Sequence, residues 1–366
     1  KNNIQKQINL LFKKLSMKRK NLIAVKKAKK NKLLFKDSKI LNFYIKFKSI
    51  IKKDIKKRNF AVAVSGGSDS LCLSYFSKVY SHEFKNKIFL LIVNHNLRKE
   101  SYKEAVTVKR ILKKRKITST ILSWSGPIPK SNIQKNARDI RYSLISNYCK
   151  KKNIKYLVTA HHEDDQIENF FIRLLRGSGL TGLSSISTKI NYNNRLKIIR
   201  PFLQLSKLNL KYVTLNYFKT YIKDPSNEDE KFLRIKIRKH KKNMEKDGLD
   251  TKKIMKSVEN LTSANQAINF YKKKAFDKYI YFLKKGQCNI DKKIFKNEAK
   301  EIIFKSFSDT LTMISGSYYP PRSIKIINLI ERLKKNKFTK STLGGCIIED
   351  KNNFITIYKE LKVKKN

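Results

Sequence analysis

At 366 residues, the chain is long enough for two or three domains that each bury a core. Its formal charge of +57, from 85 Lys and Arg against 28 Asp and Glu, favours a polyanionic partner, although so many Lys, Asn, Ile, Phe and Tyr residues also fit an AT-rich coding bias. Cys72, Cys149, Cys288 and Cys346 stand apart, which excludes Cys-x-x-Cys metal or redox pairs; no apolar run approaches the ~20 residues of a membrane span.

Residues 1–36 carry 13 basic residues and no acidic one, and no uninterrupted apolar core of a signal peptide. They read as a disordered basic arm or a lysine-rich helix on RNA. Ile40 to Ile55 has helical apolar spacing and closes a basic extension over 1–58. From Asn59 the pattern changes. Phe60–Val64 is a short apolar run, and further runs follow at Ile88–Val93, Ile117–Leu122 and Tyr156–Thr159. Helix-length segments at about 69–80, 101–115, 131–152 and 163–176 separate or follow them. That alternation predicts an α/β fold, a parallel sheet with helices on both faces, over 59–225. Its ligands would bind beyond the carboxyl ends of the strands. Residues 229–285 read as lysine-rich helices. Beyond about 300 come a helix candidate at Ile324–Leu333 and a hairpin with arms Cys346–Ile348 and Phe354–Tyr358. We therefore expect a basic, aromatic RNA-binding region over 226–366, helical and then α+β, with a sub-boundary near 300.

Two segments carry chemistry. Ser65-Gly66-Gly67-Ser68-Asp69-Ser70 follows the first strand and opens a helix. Its glycines permit a tight turn, and its N–H groups, helix terminus and hydroxyls suit a phosphate. It lacks the Gly-Lys-Ser/Thr of a Walker loop. The second segment, His161-His162-Glu163-Asp164-Asp165-Gln166-Ile167-Glu168, ends another strand. Four acids fall within six positions, in a chain with one acid per thirteen residues (28 of 366). On a helix starting near Glu163, Asp165 and Glu168 share a face that His161 can approach. Such a face can hold magnesium, an ammonium or a proton in transfer, whereas Glu163 and Asp164 also fit an ordinary acidic helix start.

The Ser-Gly-Gly-x-Asp-Ser loop resembles the pyrophosphatase-loop ATPases, a Rossmann-like, adenine nucleotide alpha hydrolase-like fold. The second segment, continued by Arg173 and Arg176-Gly177-x-Gly179-Leu180-x-Gly182-Leu183, closely resembles the tRNA(Ile)-lysidine synthases. So do Asn94-His95-Asn96-Leu97-Arg98, Ala137-Arg138-x-x-Arg141-Tyr142, Arg200-Pro201-Phe202-Leu203, Asp224-Pro225-Ser226-Asn227 and Phe232-x-Arg234-x-x-x-Arg238. The family usually has Arg-Asn where this chain has Arg234-Ile235. The resemblance implies ATP binding by Ser65, Gly66, Gly67, Ser68, Asp69 and Ser70, and catalysis by Asp69, His161, Asp165 and Glu168. It implies magnesium at Asp69 and Asp165, and tRNA or substrate contacts from Arg138, Arg141, Arg176, Arg234 and Arg238. The implied reaction joins free lysine to C2 of the wobble cytidine in a CAU-anticodon isoleucine tRNA, at the cost of ATP. A homodimer and a cytoplasmic, stromal or matrix location are compatible with it. The rival readings are a thiolase-type tRNA-modifying enzyme of the same loop class and a non-catalytic RNA-binding protein.

Overall fold

The computed structural model describes residues 35, 37–96, 100–127, 133–192, 195–223, 233–284, 286–317, 320–335 and 339–360. The basic arm through residue 34, Leu97-Arg98, Asp224 to Asn227 and Phe232 lie outside the described residues. The chain divides into two compact units, residues 1–177 with 185–255, and residues 178–184 with 256–366.

The first unit is built on a six-stranded sheet in the order β3-β2-β1-β4-β6-β5. The strands are β1 (Phe60–Val64), β2 (Ile88–Asn94), β3 (Ser119–Ser123), β4 (Tyr156–Val158), β5 (Lys189–Tyr192) and β6 (Leu196–Ile199). Phe60-Ala-Val-Ala-Val64 lies at the centre and is apolar throughout because both faces of a parallel sheet are covered. It pairs in parallel with β2 (Phe60 opposite Ile88) and β4 (Ala61 opposite Leu157). Only β5 runs antiparallel, as the edge partner of β6. The helices of this unit are α1 (Ser38–Asp54), α2 (Ser68–Phe84), α3 (Ser101–Lys114), α4 (Ile133–Lys151), α5 (Glu163–Leu174) and, after α6 (Leu180–Leu183) of the second unit, α7 (Lys207–Phe218) and α8 (Leu233–Lys246). Asp37 starts α1 by accepting the N–H groups of Lys39 and Ile40. Phe43, Tyr44, Phe47 and Ile51 are then buried against the same core as Phe76, Tyr80 and Phe202. β3 begins two residues after the expected start, because Lys116 adopts a positive φ and Ile117 N–H closes the end of α3 on Leu112.

The strand order reverses between β1 and its two neighbours: β2 follows on one side and β4 on the other. This is the switch point where the loops after β1 and β4 part and leave a crevice.

In the second unit, the 29-residue helix α9 (Thr251–Tyr279) leads into a five-stranded antiparallel sheet. Its order is β7-β8-β11-β10-β9, with β7 (Ile280–Lys284), β8 (Gln287–Asp291), β9 (Lys340–Leu343), β10 (Cys346–Lys351) and β11 (Phe354–Lys359). The short α10 (Ile294–Asn297), then α11 (Lys300–Ser315) and α12 (Ser323–Lys334), complete the unit. Phe307, Leu311, Ile326 and Ile330 share a core with Ile348 and Ile357. The expected hairpin is present, with Lys351 opposite Phe354 and Asn352 at φ 40 in the turn. The expectation of helix through 285 fails at its end. Ile280–Lys284 forms an edge strand, and its β-branched and aromatic residues suit that role.

Candidate functional site

The loop after β1 is organised by Ser70. Its Oγ accepts the N–H groups of Ser65 (3.2 Å) and Gly66 (3.0 Å) and donates to the carbonyl of Gly67 (3.0 Å). Ser70 therefore shapes the loop rather than presenting a free hydroxyl. Ser68 Oγ is likewise turned onto Asp69 Oδ1 at 3.0 Å. Gly66 has φ +90, and a Cβ there would lie 2.4 Å from Val108 Cγ2. Gly67 differs: its added Cβ would meet only Ser65 Oγ, at 3.8 Å. It ends the loop as the N-cap of α2 and provides no side-chain cap. With glycine as the N-cap, no capping side chain takes up the first-turn N–H groups of α2, a setting that fits a polyphosphate.

The segment after β4 faces this loop. His162, only 3% exposed, is the N-cap of α5. Its Nε2 lies 3.5 Å from Asp69 Oδ2 and 3.7 Å from Asp165 Oδ2, and its Nδ1 lies 3.7 Å from Asp164 Oδ2. Burial pulls the imidazole pKa down, but the Asp69 hydrogen bond and the Asp165, Asp69 and Asp164 charges push it above its ordinary value. Asp165 folds back to accept the His162 backbone N–H at 3.1 Å. Burial opposes its charge, yet His162, His161 and that N–H hold it below the usual carboxylate range. His161 points elsewhere, with Nδ1 3.0 Å from Thr159 Oγ1. Burial lowers its pKa to about 4, with Arg200 and Arg138 adding to the effect against Asp165, so it is neutral at pH 7.

The expected shared face of Asp165 and Glu168 does not form a single open cluster. Glu168 is only 2% exposed and engaged from α8. Arg238 donates to it through both Nε and a terminal nitrogen, and Arg234 Nε lies 3.2 Å from Oε2. A carboxylate so matched is an ion-pair partner first, and removing either side would strand a buried charge. Arg234 remains 44% exposed and keeps donors for a further anion. Arg141 Nε approaches His95 Nε2 at 3.4 Å, and Arg138 lies over the Tyr142 ring at 5.6 Å. Arg176 is exposed in the turn after α5. The structure thus brings Asp69 and Asp165 together on Nε2 of His162, and Arg234 and Arg238 on Glu168. Sequence reasoning passed over His162 as a site residue, although it stands second in the His-His-x-x-Asp-Gln-x-Glu segment that carries the family resemblance.

The chemistry of these groups suits magnesium held jointly with phosphate: two part-exposed carboxylates, Asp69 and Asp165, beside a phosphate-ready loop. Among the described residues, no group of three or more His, Cys, Asp or Glu is arranged as a self-sufficient metal site. No helix among them is long and apolar enough to cross a membrane.

Comparison with known proteins agrees with this geometry. Residues 40–243 match the PP-loop domain family. The tRNA(Ile)-lysidine synthase of Orientia tsutsugamushi (strain Boryong) is 36% identical over 310 residues, which cover 82% of this chain and 69% of that protein. The tRNA(Ile)-lysidine synthase of Wolbachia pipientis wMel is 37% identical over 306 residues, covering 82% and 70%. Among solved structures, the U34-tRNA thiolase NcsA from Methanococcus maripaludis with its [4Fe-4S] cluster aligns with a TM-score of 0.52 at 18% identity, over 62% of this chain and 79% of that one. That likeness concerns the fold alone. On the extent of the domain match and the identity to these relatives, the chain belongs to the tRNA(Ile)-lysidine synthase family.

Proposed function

We propose that this protein uses ATP to join the side-chain amine of free lysine to C2 of the wobble cytidine in a CAU-anticodon isoleucine tRNA. The observation that carries the reading is the pairing, across the β1–β4 switch point, of an uncapped glycine loop with the His162–Asp69–Asp165 cluster. Family membership supplies the substrate class.

A pyrimidine carbonyl carbon is a poor electrophile; ATP transfers its adenylyl group to the oxygen with release of pyrophosphate, and the oxygen then departs as part of AMP when the amine attacks C2. The first turn of α2 would receive the phosphates, with Asp69 and Asp165 as the residues that hold magnesium beside them. His162, with both carboxylates on its Nε2, compensates their charge. The lysine amine is protonated at neutral pH, with a pKa of about 10.4. Asp165, held ionised, is a counter-charge for the ammonium and accepts the proton that must leave before the nitrogen attacks C2, and neutral His161 is an acceptor for the second proton shed as the C–N bond forms. Glu168 acts as a positioning residue that fixes Arg234 and Arg238. Arg234 then offers its remaining N–H groups to an anionic oxygen of a substrate. Arg138, Arg141 and Arg176 are further candidates for RNA contact, and the lysine-rich region after 225 is the candidate tRNA-binding appendage.

A thiolase reading fits less well. All four cysteines are buried and unpaired, and burial raises the pKa of each thiol, to about 12 for Cys149 and Cys288. None is a ready sulfur carrier. The deciding assay supplies purified protein with ATP, magnesium, labelled lysine and the CAU-anticodon tRNA. Label should enter that RNA, and fail to enter a version whose wobble cytidine is replaced. Label in neither RNA would refute the proposal.

A further inference from the structure

We propose that Asp164 and Lys241 form a positioning pair that sets the arginines of α8 onto Glu168. Lysine transfer would then depend on a residue three places beyond the second spaced arginine. This rests on the function proposed above and deepens it.

The argument starts from helical spacing. Asp164 and Glu168 are four apart on α5 and lie one turn from each other. Arg234, Arg238 and Lys241 fall at i, i+4 and i+7 on α8, so they also share a face. The two faces meet in register. Lys241 Nζ donates to Asp164 Oδ1 at 2.7 Å, while Arg238 and Arg234 both reach Glu168. Apolar anchorage of α8 is slight. Ile237 is its one buried hydrophobic residue among those described, and Leu233 and Met244 are exposed. The angular setting of α8 on α5 is therefore governed by charge.

Asp164 has the properties of a fixed reference point. Its other oxygen, Oδ2, accepts the backbone N–H of Lys207, the first residue of α7, at 2.9 Å. It is thus tied to α5 through the chain and to α7 through a main-chain donor. Lys241 is also well enclosed, 12% exposed, with Glu245 Oε1 3.4 Å from Nζ on its far side. If the ammonium is lost, α8 keeps two arginines on one carboxylate and loses the second charged point that sets its rotation. The bidentate Arg238–Glu168 contact then loses its register, and Arg234 its aim. An ordinary first-turn acid interacting with the helix dipole would have no such partner across 77 residues.

The test uses the full chain with Lys241→Met, Lys241→Arg and Asp164→Asn. Amide hydrogen exchange should quicken about tenfold across residues 233–246 in Lys241→Met and Asp164→Asn, with α2 and β1 unchanged and Lys241→Arg close to wild type. In lysine transfer, kcat for Lys241→Met should fall on the order of tenfold with the KM for ATP within about twofold, because the phosphate loop is untouched. In a Glu168→Gln background, Lys241→Met should add little further loss, since the pair acts through that carboxylate. Unchanged exchange in α8, equal acceleration in α2, or fully additive losses would each overturn the proposal. If wild-type protein transferred no lysine, the assigned function would fall, while the exchange arm would still decide whether the pair sets α8.

Discussion

Gly66 and Gly67 are neighbours in one loop, yet the structure predicts opposite consequences for the same substitution. Gly66→Ala forces a side chain into a left-handed conformation at φ +90, which costs an L-residue roughly 1–2 kcal/mol. It also drives the new methyl to 2.4 Å from Val108 Cγ2, with Ile222 Cδ1 at 3.4 Å. Val108 is fully enclosed on α3, so the overlap adds about 1–3 kcal/mol of overpacking. The total is about 2–5 kcal/mol, or roughly 4–20 °C in the melting of a unit of this size. Gly67→Ala meets open space at an ordinary φ of −68, so its melting should stay near wild type. Its methyl instead occupies the approach to the α2 terminus and should weaken ATP binding by about tenfold or more. Thermal melts and nucleotide titrations of both variants read the two outcomes. Adding Val108→Ala to Gly66→Ala removes the overlap and leaves the backbone strain, so the pair should be non-additive by about 1–3 kcal/mol. A Gly66→Ala protein that melts with wild type, or strict additivity with Val108→Ala, would refute the reasoning.

Four further outcomes follow from the site. Asp69→Asn should abolish AMP formation while leaving tRNA affinity nearly intact, as measured by filter binding; normal turnover would move magnesium elsewhere. Asp165→Asn should cost on the order of 10²-fold in lysine transfer, and Glu163→Gln far less, because Glu163 is a half-buried helix-start acid whose pKa is raised by burial and Asp164. His95 has its pKa lowered to about 4 by burial and Arg141, so its contribution to stability is complete above about 6.5 and is lost as pH falls toward 4. An NMR titration of that imidazole near 6.5 would contradict this. Finally, tRNA affinity should fall steeply with salt, by counterion release; a flat dependence would assign the +57 charge to composition alone.

Much of the first unit was legible because local signals agreed with the fold. The Phe60–Val64 run, the glycine pair and the following helix each specify the same β1–loop–α2 unit. β5 and β6 were not anticipated. Four-residue strands such as Lys189-Ile-Asn-Tyr192 give too little periodicity to stand out. Ile280–Lys284 was absorbed into the preceding helix because 29 helical residues run into it without a breaker. The change of composition after 224 marks the start of the lysine-rich helices, but packing groups α8 with the first unit. At the site, spacing brought Asp165 and Glu168 to neighbouring turns and could not show that they would part. What separates them is Arg234 and Arg238, about seventy positions away, and the backbone N–H of His162. Ser70 carried a similar ambiguity, since a hydroxyl in a loop can serve a ligand or the loop itself, and its bonds to Ser65, Gly66 and Gly67 are what distinguish the two.

The segment 178–184 belongs to the second unit although it directly follows α5 in the chain. There Thr181 receives the ammonium of Lys305 and donates to Asn265, while Ser184 Oγ sits 3.5 Å from the carbonyl of Leu261. During synthesis this strap leaves the ribosome long before those partners exist: Leu261 and Asn265 follow some eighty residues later, and Lys305 follows 124 residues after Thr181. The second unit therefore cannot close until translation has passed α11, and the strap waits meanwhile without these distant partners. A gene fragment beginning at 256 would carry the same deficit permanently, with Lys305, only 9% exposed, facing the gap where a threonine hydroxyl belongs. Restoring the strap as a separate peptide is then the natural complementation partner for such a fragment.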